Sequence, residues 1–256
     1  MFRQNRMQGE KVPEYLSTHP LSETRITDTR NRAEQFPRKP FRESLEYHIC
    51  KHIVYAEYAE NENRAIAQFE SILQNGNSIQ IDAAKFGLAY AYLKTAPEKS
   101  LPLLEELLTL YPTQISIGVT YAQALARTKG VAEGIAELEK MLKRNPDNYP
   151  ISSKLSDLYM DANRIQDAEK MLKLLTQKFP DNSRLWYKLA EANGLAGNIV
   201  DLHMARAEYF TLVNNLDDAI EQLKLAASKS NSQSLTKTRI NRRIQELEQI
   251  KQDAPF

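Results

Sequence analysis

The chain has 256 residues, enough to bury a sizeable core, and 34 Lys/Arg against 33 Asp/Glu leave a net charge of +1. Few glycines (8) and an abundance of Ala, Leu, Glu, Lys and Gln predict an all-α protein, with no alternating Val/Ile/Thr pattern long enough for a sheet. The single cysteine, Cys50, excludes an internal disulfide, no apolar run approaches the roughly 18 to 20 residues of a membrane span, and Met1-Phe2-Arg3-Gln4-Asn5-Arg6 does not lead into the apolar core of a signal peptide.

The charge is unevenly placed. Residues 1–42 carry nine Lys/Arg against five Asp/Glu, and 229–256 carry six against three, so 43–228 hold 19 against 25, or −6. An acidic middle with basic ends argues against nucleic acid as the partner of the middle.

Residues 1–42 read as a connector. Ser17-Thr18-His19-Pro20 is an extended turn, since proline pushes His19 away from helical geometry. A helix over about Leu21 to Gln35 follows, stopped by Pro37 and Pro40. Its apolar residues, Leu21, Ile26, Ala33 and Phe36, are too few to make a core of their own.

From 43 onward helices come in pairs. Glu46 to Glu60 places Ile49, Ile53 and Ala56 on one face, Asn61-Glu62-Asn63 turns, and Ala65, Phe69 and Ile72 supply a second helix. Within the first, His48-Ile49-Cys50-Lys51-His52 sets two histidines four apart; with Ile49 between them in place of a glutamate, they are expected as surface histidines and not as metal ligands. Ile81 to Lys94 packs through Phe86, Leu88, Ala89 and Tyr92, and Pro97 opens its partner helix, which continues through Ser100, Leu104 and Leu107.

Pro112, Pro146 and Pro180 then fall at steps of 34, the last two inside Asn145-Pro146-Asp147-Asn148 and Phe179-Pro180-Asp181-Asn182. A proline closing units of 34 is the signature of the tetratricopeptide repeat, a helix-turn-helix unit. Frame 149–182 places Leu155, Ser156 and Tyr159 on the first helix, with Ala168, Leu172 and Leu175 on the second. Frame 115–148 places Tyr121, Ala122 and Leu125, then Gly134, Leu138 and Met141. Small residues at Ala122/Gly134 and Ser156/Ala168 let the two helices cross closely while larger ones fill the grooves beside them.

Past Pro180 the phase changes. Trp186, Leu189 and Ala190 fit a first helix ended by Gly194, Gly197 and Asn198. Ile199 to Val213 fails as its partner, because Arg206 would take the buried position; it fits as the first helix of another unit through Ala207 and Phe210. Asn214-Asn215 turns, and Ala219, Leu223 and Ala226 close that unit, leaving one helix between units unpaired or shared. After the polar break 228–234, Leu235 to Lys251 carries Ile240, Ile244, Leu247 and Ile250 along one stripe with Lys237, Arg239, Arg242 and Arg243 outside it, the form of a terminal cap.

The predicted architecture is therefore a right-handed superhelical solenoid of tetratricopeptide repeats: a linker and helix over 1–42, about five helical hairpins plus one extra helix over 43–228, and a basic capping helix over 229–256. Such arrays turn their first helices toward a concave groove that takes protein or peptide segments. The positions expected to line it are Tyr90, Lys94, Gln123, Arg127, Asp157, Asp161, Tyr187, Glu191 and Glu208, basic at the start and acidic toward the end. No nucleophile paired with a base and no phosphate-cradling glycine loop is present, so neither catalytic residues nor a cofactor is expected in this chain.

Two stretches carry a resemblance. Tyr15-Leu16-Ser17-Thr18-His19-Pro20-Leu21-Ser22-Glu23-Thr24-Arg25-Ile26, followed by Arg30-Asn31-Arg32-Ala33, resembles the segment joining catalytic and repeat domains in BepA/YfgC-type bacterial zinc metalloproteases. Leu202-His203-Met204-Ala205-Arg206-Ala207-Glu208-Tyr209-Phe210 resembles a His-x-Ala-Arg-Ala-Glu-Tyr stretch near the end of the same family. The resemblance implies a periplasmic location, a catalytic zinc domain as neighbour, and outer-membrane assembly machinery or unfolded barrel proteins as partners. It also implies that His19 can approach that zinc and regulate access. The family's His-Glu-x-x-His is missing here, so the resemblance puts the metal and the hydrolysis outside this chain. The alternative reading is a free-standing cytoplasmic repeat adaptor.

Overall fold

The computed structural model describes residues 22–36, 43–231 and 235–253; His19 and the rest of the Ser-Thr-His-Pro turn, with Pro37 and Pro40, lie outside them. The chain divides into two compact units, 1–43 and 44–256. In the first, α1 (Ser22–Glu34) is followed by a short turn, and Ile26 and Phe36 are exposed.

The described part of the second unit is helical throughout: α2 (Leu45–Tyr58), α3 (Glu62–Asn75), α4 (Ser78–Thr95), α5 (Pro97–Leu110), α6 (Ile115–Thr128), α7 (Val131–Arg144), α8 (Tyr149–Asp161), α9 (Ile165–Lys178), α10 (Ser183–Leu195), α11 (Ile199–Leu212), α12 (Leu216–Lys229) and α13 (Leu235–Asp253). Prolines set where many of these helices stop. Ala96, Tyr111, Asn145 and Phe179 each precede a proline, and each leaves helical geometry at ψ between 60 and 68°. The proline ring clashes with an α-helical residue before it, so the helix ends there and the chain turns back. Asn148 then caps α8, its side chain accepting the Ile151 N–H at 3.2 Å. The opposite corners need a left-handed residue, supplied by Gly130 (φ 116°), Asn163 (φ 56°), Gly197 (φ 76°) and Asn214 (φ 59°).

From α4 onward each helix packs against the next, and the core is a chain of local clusters instead of one centre. Ile151, Leu155, Tyr159 and Ala168 join Ala122 and Leu138 in one, and Leu172, Leu175, Leu185 and Leu189 form the next. Alternate helices α4, α6 and α8 also touch side by side. The period shows in polar ties between equivalent positions of neighbouring units, roughly one repeat apart. Thr95 donates to Glu62 at 2.6 Å, Arg127 to the Leu93 carbonyl at 2.5 Å, and Asn182 to the Tyr149 hydroxyl at 3.0 Å.

Both ends depart from the plain hairpin count. The sequence pairs α2 with α3, yet their backbones run together far less than either does with α4; the two meet mainly where His52 and Tyr55 reach the Phe69 ring. Phe86, Ala89 and Leu93 of α4 meet Ile49 of α2, while Ala84, Leu88 and Ala91 meet Ala65 and Phe69 of α3. A helix apolar on every side draws both neighbours, so α4 is the centre of a three-helix end. At the other end α11 is shared. Arg206 points to solvent, Ala205 is buried against α10, and Ala207 is buried against α12 and α13. The Arg206 objection to pairing α10 with α11 dissolves because the buried positions are its two neighbours. On α13, Ile240 and Leu247 are buried and close the last hydrophobic face.

Candidate protein-binding cleft

Five alternate helices contribute to one cleft of about 620 Å³: α2 through Glu57 and Tyr58, α4 through Tyr90, Leu93 and Lys94, α6 through Gln123 and Arg127, α8 through Lys154, and α10 through Arg184. The cleft runs obliquely, crossing the last turns of α4 and α6 and the first turns of α8 and α10. Its floor is fixed by short-range polar contacts. The Tyr90 hydroxyl donates to Glu57 at 2.8 Å, and burial, reinforced by that carboxylate, pushes its pKa up to about 12. Lys94 Nζ lies 3.5 Å from the same carboxylate. Arg127, anchored on the Leu93 carbonyl, remains exposed, and Gln123 donates to Val119 within its own helix at 3.4 Å.

Four of the nine residues named from the sequence, Tyr90, Lys94, Gln123 and Arg127, are thus brought together. The other five are not among the lining residues. Asp157 is held between Lys154, at 3.3 Å, and Lys188. Asp161 and Glu191 are exposed, and Tyr187, also exposed, sets its ring against Tyr209 at 5.6 Å. Glu208 is engaged: Arg243 of α13 grips both its oxygens, Nε at 3.1 Å and Nη2 at 2.9 Å. That pair ties the cap to α11, so Arg243, read from the sequence as lying outside the stripe, is a structural contact. Glu57, Tyr58, Leu93, Lys154 and Arg184 escape the sequence reading. A projection of one consensus face picks equivalent positions on each helix, whereas the cleft steps one or two helical turns toward the amino end as it passes from α6 to α8 and α10.

The histidines correct a second expectation. His48 and His52 are buried, not on the surface, and Cys50 between them is exposed. His52 Nδ1 is 2.9 Å from the Ala83 carbonyl and its ring lies 4.9 Å from Phe69, so it joins α2, α3 and α4. The Ala83 carbonyl thus fixes the ring of His52, and the His48 ring stands 6.2 Å from it, centroid to centroid. Among the described residues no three His, Cys, Asp or Glu side chains gather to hold a metal ion. Burial holds the His52 pKa below its usual 6.5, against the Ala83 hydrogen bond and with help from His48 and Lys51. The unfolded chain therefore takes up this proton first. Stability is expected to fall as pH drops from about 6.5 through the depressed folded value. Urea midpoints measured between pH 7.5 and 5 should show the fall in the wild type and a flatter profile in His52→Gln.

The stacked hairpins and their cleft define a tetratricopeptide-repeat solenoid, and the tetratricopeptide-repeat family model matches residues 131–192. Over nearly its whole length the chain is similar to the beta-barrel assembly-enhancing protease of Escherichia coli K12, with 29% identity over 255 residues covering 95% of this chain and 50% of that protein. A putative beta-barrel assembly-enhancing protease of Vibrio cholerae is also 29% identical, over 241 residues, covering 93% of this chain and 50% of that protein. The chain thus spans about half the length of the curated relatives it matches. Of solved structures, the type IV pilus biogenesis factor PilW shares the fold, with a TM-score of 0.55 at 20% identity over 82% of this chain and 99% of that one. No helix of the described residues is long and apolar enough to cross a membrane.

Proposed function

We propose that the chain is the partner-recruiting repeat domain of a zinc metalloprotease concerned with outer-membrane protein assembly and quality control, working in the periplasm. Its own residues bind protein segments; zinc and hydrolysis are assigned to the half of such a protein that this chain does not match. The observation carrying this reading is the similarity over 95% of the chain to proteins named for enhancing β-barrel assembly, and the cleft across α2, α4, α6, α8 and α10 supports it as a place to hold a partner. Unfolded barrel proteins or the machinery that assembles them are the partners proposed.

The test is site-specific photo-crosslinking. A photoreactive residue at Tyr58, on the rim of the cleft, is expected to capture a urea-unfolded outer-membrane barrel protein as it is diluted from denaturant. The same residue at Glu133, exposed on α7 and outside the cleft lining, is expected to capture little. Equal yields from both positions, or equal capture of an unfolded α-helical protein, overturn the reading.

A further inference from the structure

We infer that the cleft recognises an acidic stretch of a partner protein, through side-chain carboxylates set against its four cations. The inference deepens the proposed function and rests on the cleft being a binding surface. Of the nine lining residues, Lys94, Arg127, Lys154 and Arg184 are cationic and only Glu57 is anionic, although the surrounding 43–228 carry −6. A cationic hollow in an acidic array is a local inversion of sign, and opposite charge at close range both steers and selects a partner.

The four cations come from four successive hairpins, so no single helix accounts for the cluster. Glu57 is already engaged by Tyr90 and Lys94 and does not neutralise the other three. Arg184, exposed in the first turn of α10, makes no hydrogen bond or ion pair to another described residue, and its five donors suit a carboxylate. Lys154 has Asp157 at 3.3 Å, but Asp157 is also held by Lys188, which leaves the lysine only partly compensated.

A protein segment fits better than a nucleic acid. Tyr58, which is 85% exposed, and the half-buried ring of Tyr90 supply aromatic surface for side chains lying between the carboxylates. A polyphosphate backbone running beyond the cleft would face the net negative charge of residues 43–228. A volume of about 620 Å³ takes a short run of residues, so the recognised stretch is a segment and not a folded surface.

The experiment is fluorescence anisotropy with the whole chain and a labelled, end-capped peptide of about eight residues, half of them Asp or Glu, at low ionic strength. Binding is expected to weaken with salt and to vanish when the acidic residues are replaced by Asn and Gln. In Lys94→Glu/Arg184→Glu, affinity is expected to drop at least about tenfold, while Lys94→Arg/Arg184→Lys keeps it within a few-fold. Equal affinity for the acidic and neutral peptides, or indifference to charge reversal, overturns the inference. So does tighter binding of a single-stranded oligonucleotide of equal charge, or a requirement for a free C-terminal carboxylate. If Tyr58 still crosslinks unfolded barrel protein while the acidic peptide fails, only this inference falls; if the peptide binds and the barrel protein is not captured, the proposed function falls instead.

Discussion

Replacing Phe69 by alanine is expected to destabilise the second unit by about 3–5 kcal/mol. Phe69 has no exposed surface, and its ring meets His52 at 4.9 Å and Tyr55 edge-on at 5.9 Å. It also fills the space beside Gly87, where an added Cβ would come within 2.9 Å of the ring. The ring thus sits between α2 and α4, with Ala65, Ile66 and Ile72 of α3 packed in the same cluster, so its loss loosens α3 from both neighbours. Repeat arrays distribute stability as local terms between neighbours, so the loss should stay local. Amide exchange is the discriminating measurement: protection is expected to collapse in α3 and weaken in α2, with α8 and α9 retaining theirs. A uniform loss along the chain would show that the units fold as one block.

The second large effect is expected at Gly134, where α7 crosses α6. A Cβ there would stand 2.6 Å from the Ala122 carbonyl oxygen, 2.7 Å from the Ala126 Cβ and 3.0 Å from Leu158. Backbone cannot yield as a side-chain tip does. Gly134→Val is therefore expected to cost about 3 kcal/mol, the upper end of overpacking penalties, by wedging the two helices apart. Gly134→Ala should cost less, because the gain in helix propensity, about 1 kcal/mol, offsets part of the clash. Thermal melts of the two variants should rank Val below Ala below wild type. Unchanged melting of the valine variant would mean that the helices do not need this close approach.

Much of this fold is legible in the sequence because its determinants are local. A proline after the last helical residue, an asparagine or glycine at the left-handed corner and small residues at the crossing all sit at fixed offsets, and Leu138, Leu155 and Leu172 are buried as the period requires. The ends are harder to read, for a shared reason. A periodic frame assigns every helix one buried face, whereas α4 buries several and α11 buries two, separated by the exposed Arg206. The stretch from Leu202 to Phe210 that carries the family resemblance is the place where this happens. The cleft is half legible. Tyr90, Lys94, Gln123 and Arg127 follow from the frame, but Lys154 and Arg184 depend on how far each helix is displaced along its neighbour, a tertiary quantity that spacing does not encode. The frame gives no sign that Glu208 is paired, because its partner, Arg243, lies a full unit further on.

Solenoids grow and shrink by duplicating or deleting whole units, an editing rule that works only while each unit presents matching faces. The doubly engaged α11 breaks that rule. Excising one hairpin between α5 and α10 would leave compatible surfaces to rejoin, but any cut through α11 strands either Ala205 or Ala207 without a neighbour. A hairpin deleted ahead of Gly197 is accordingly expected to be better tolerated than any deletion within the segment behind it.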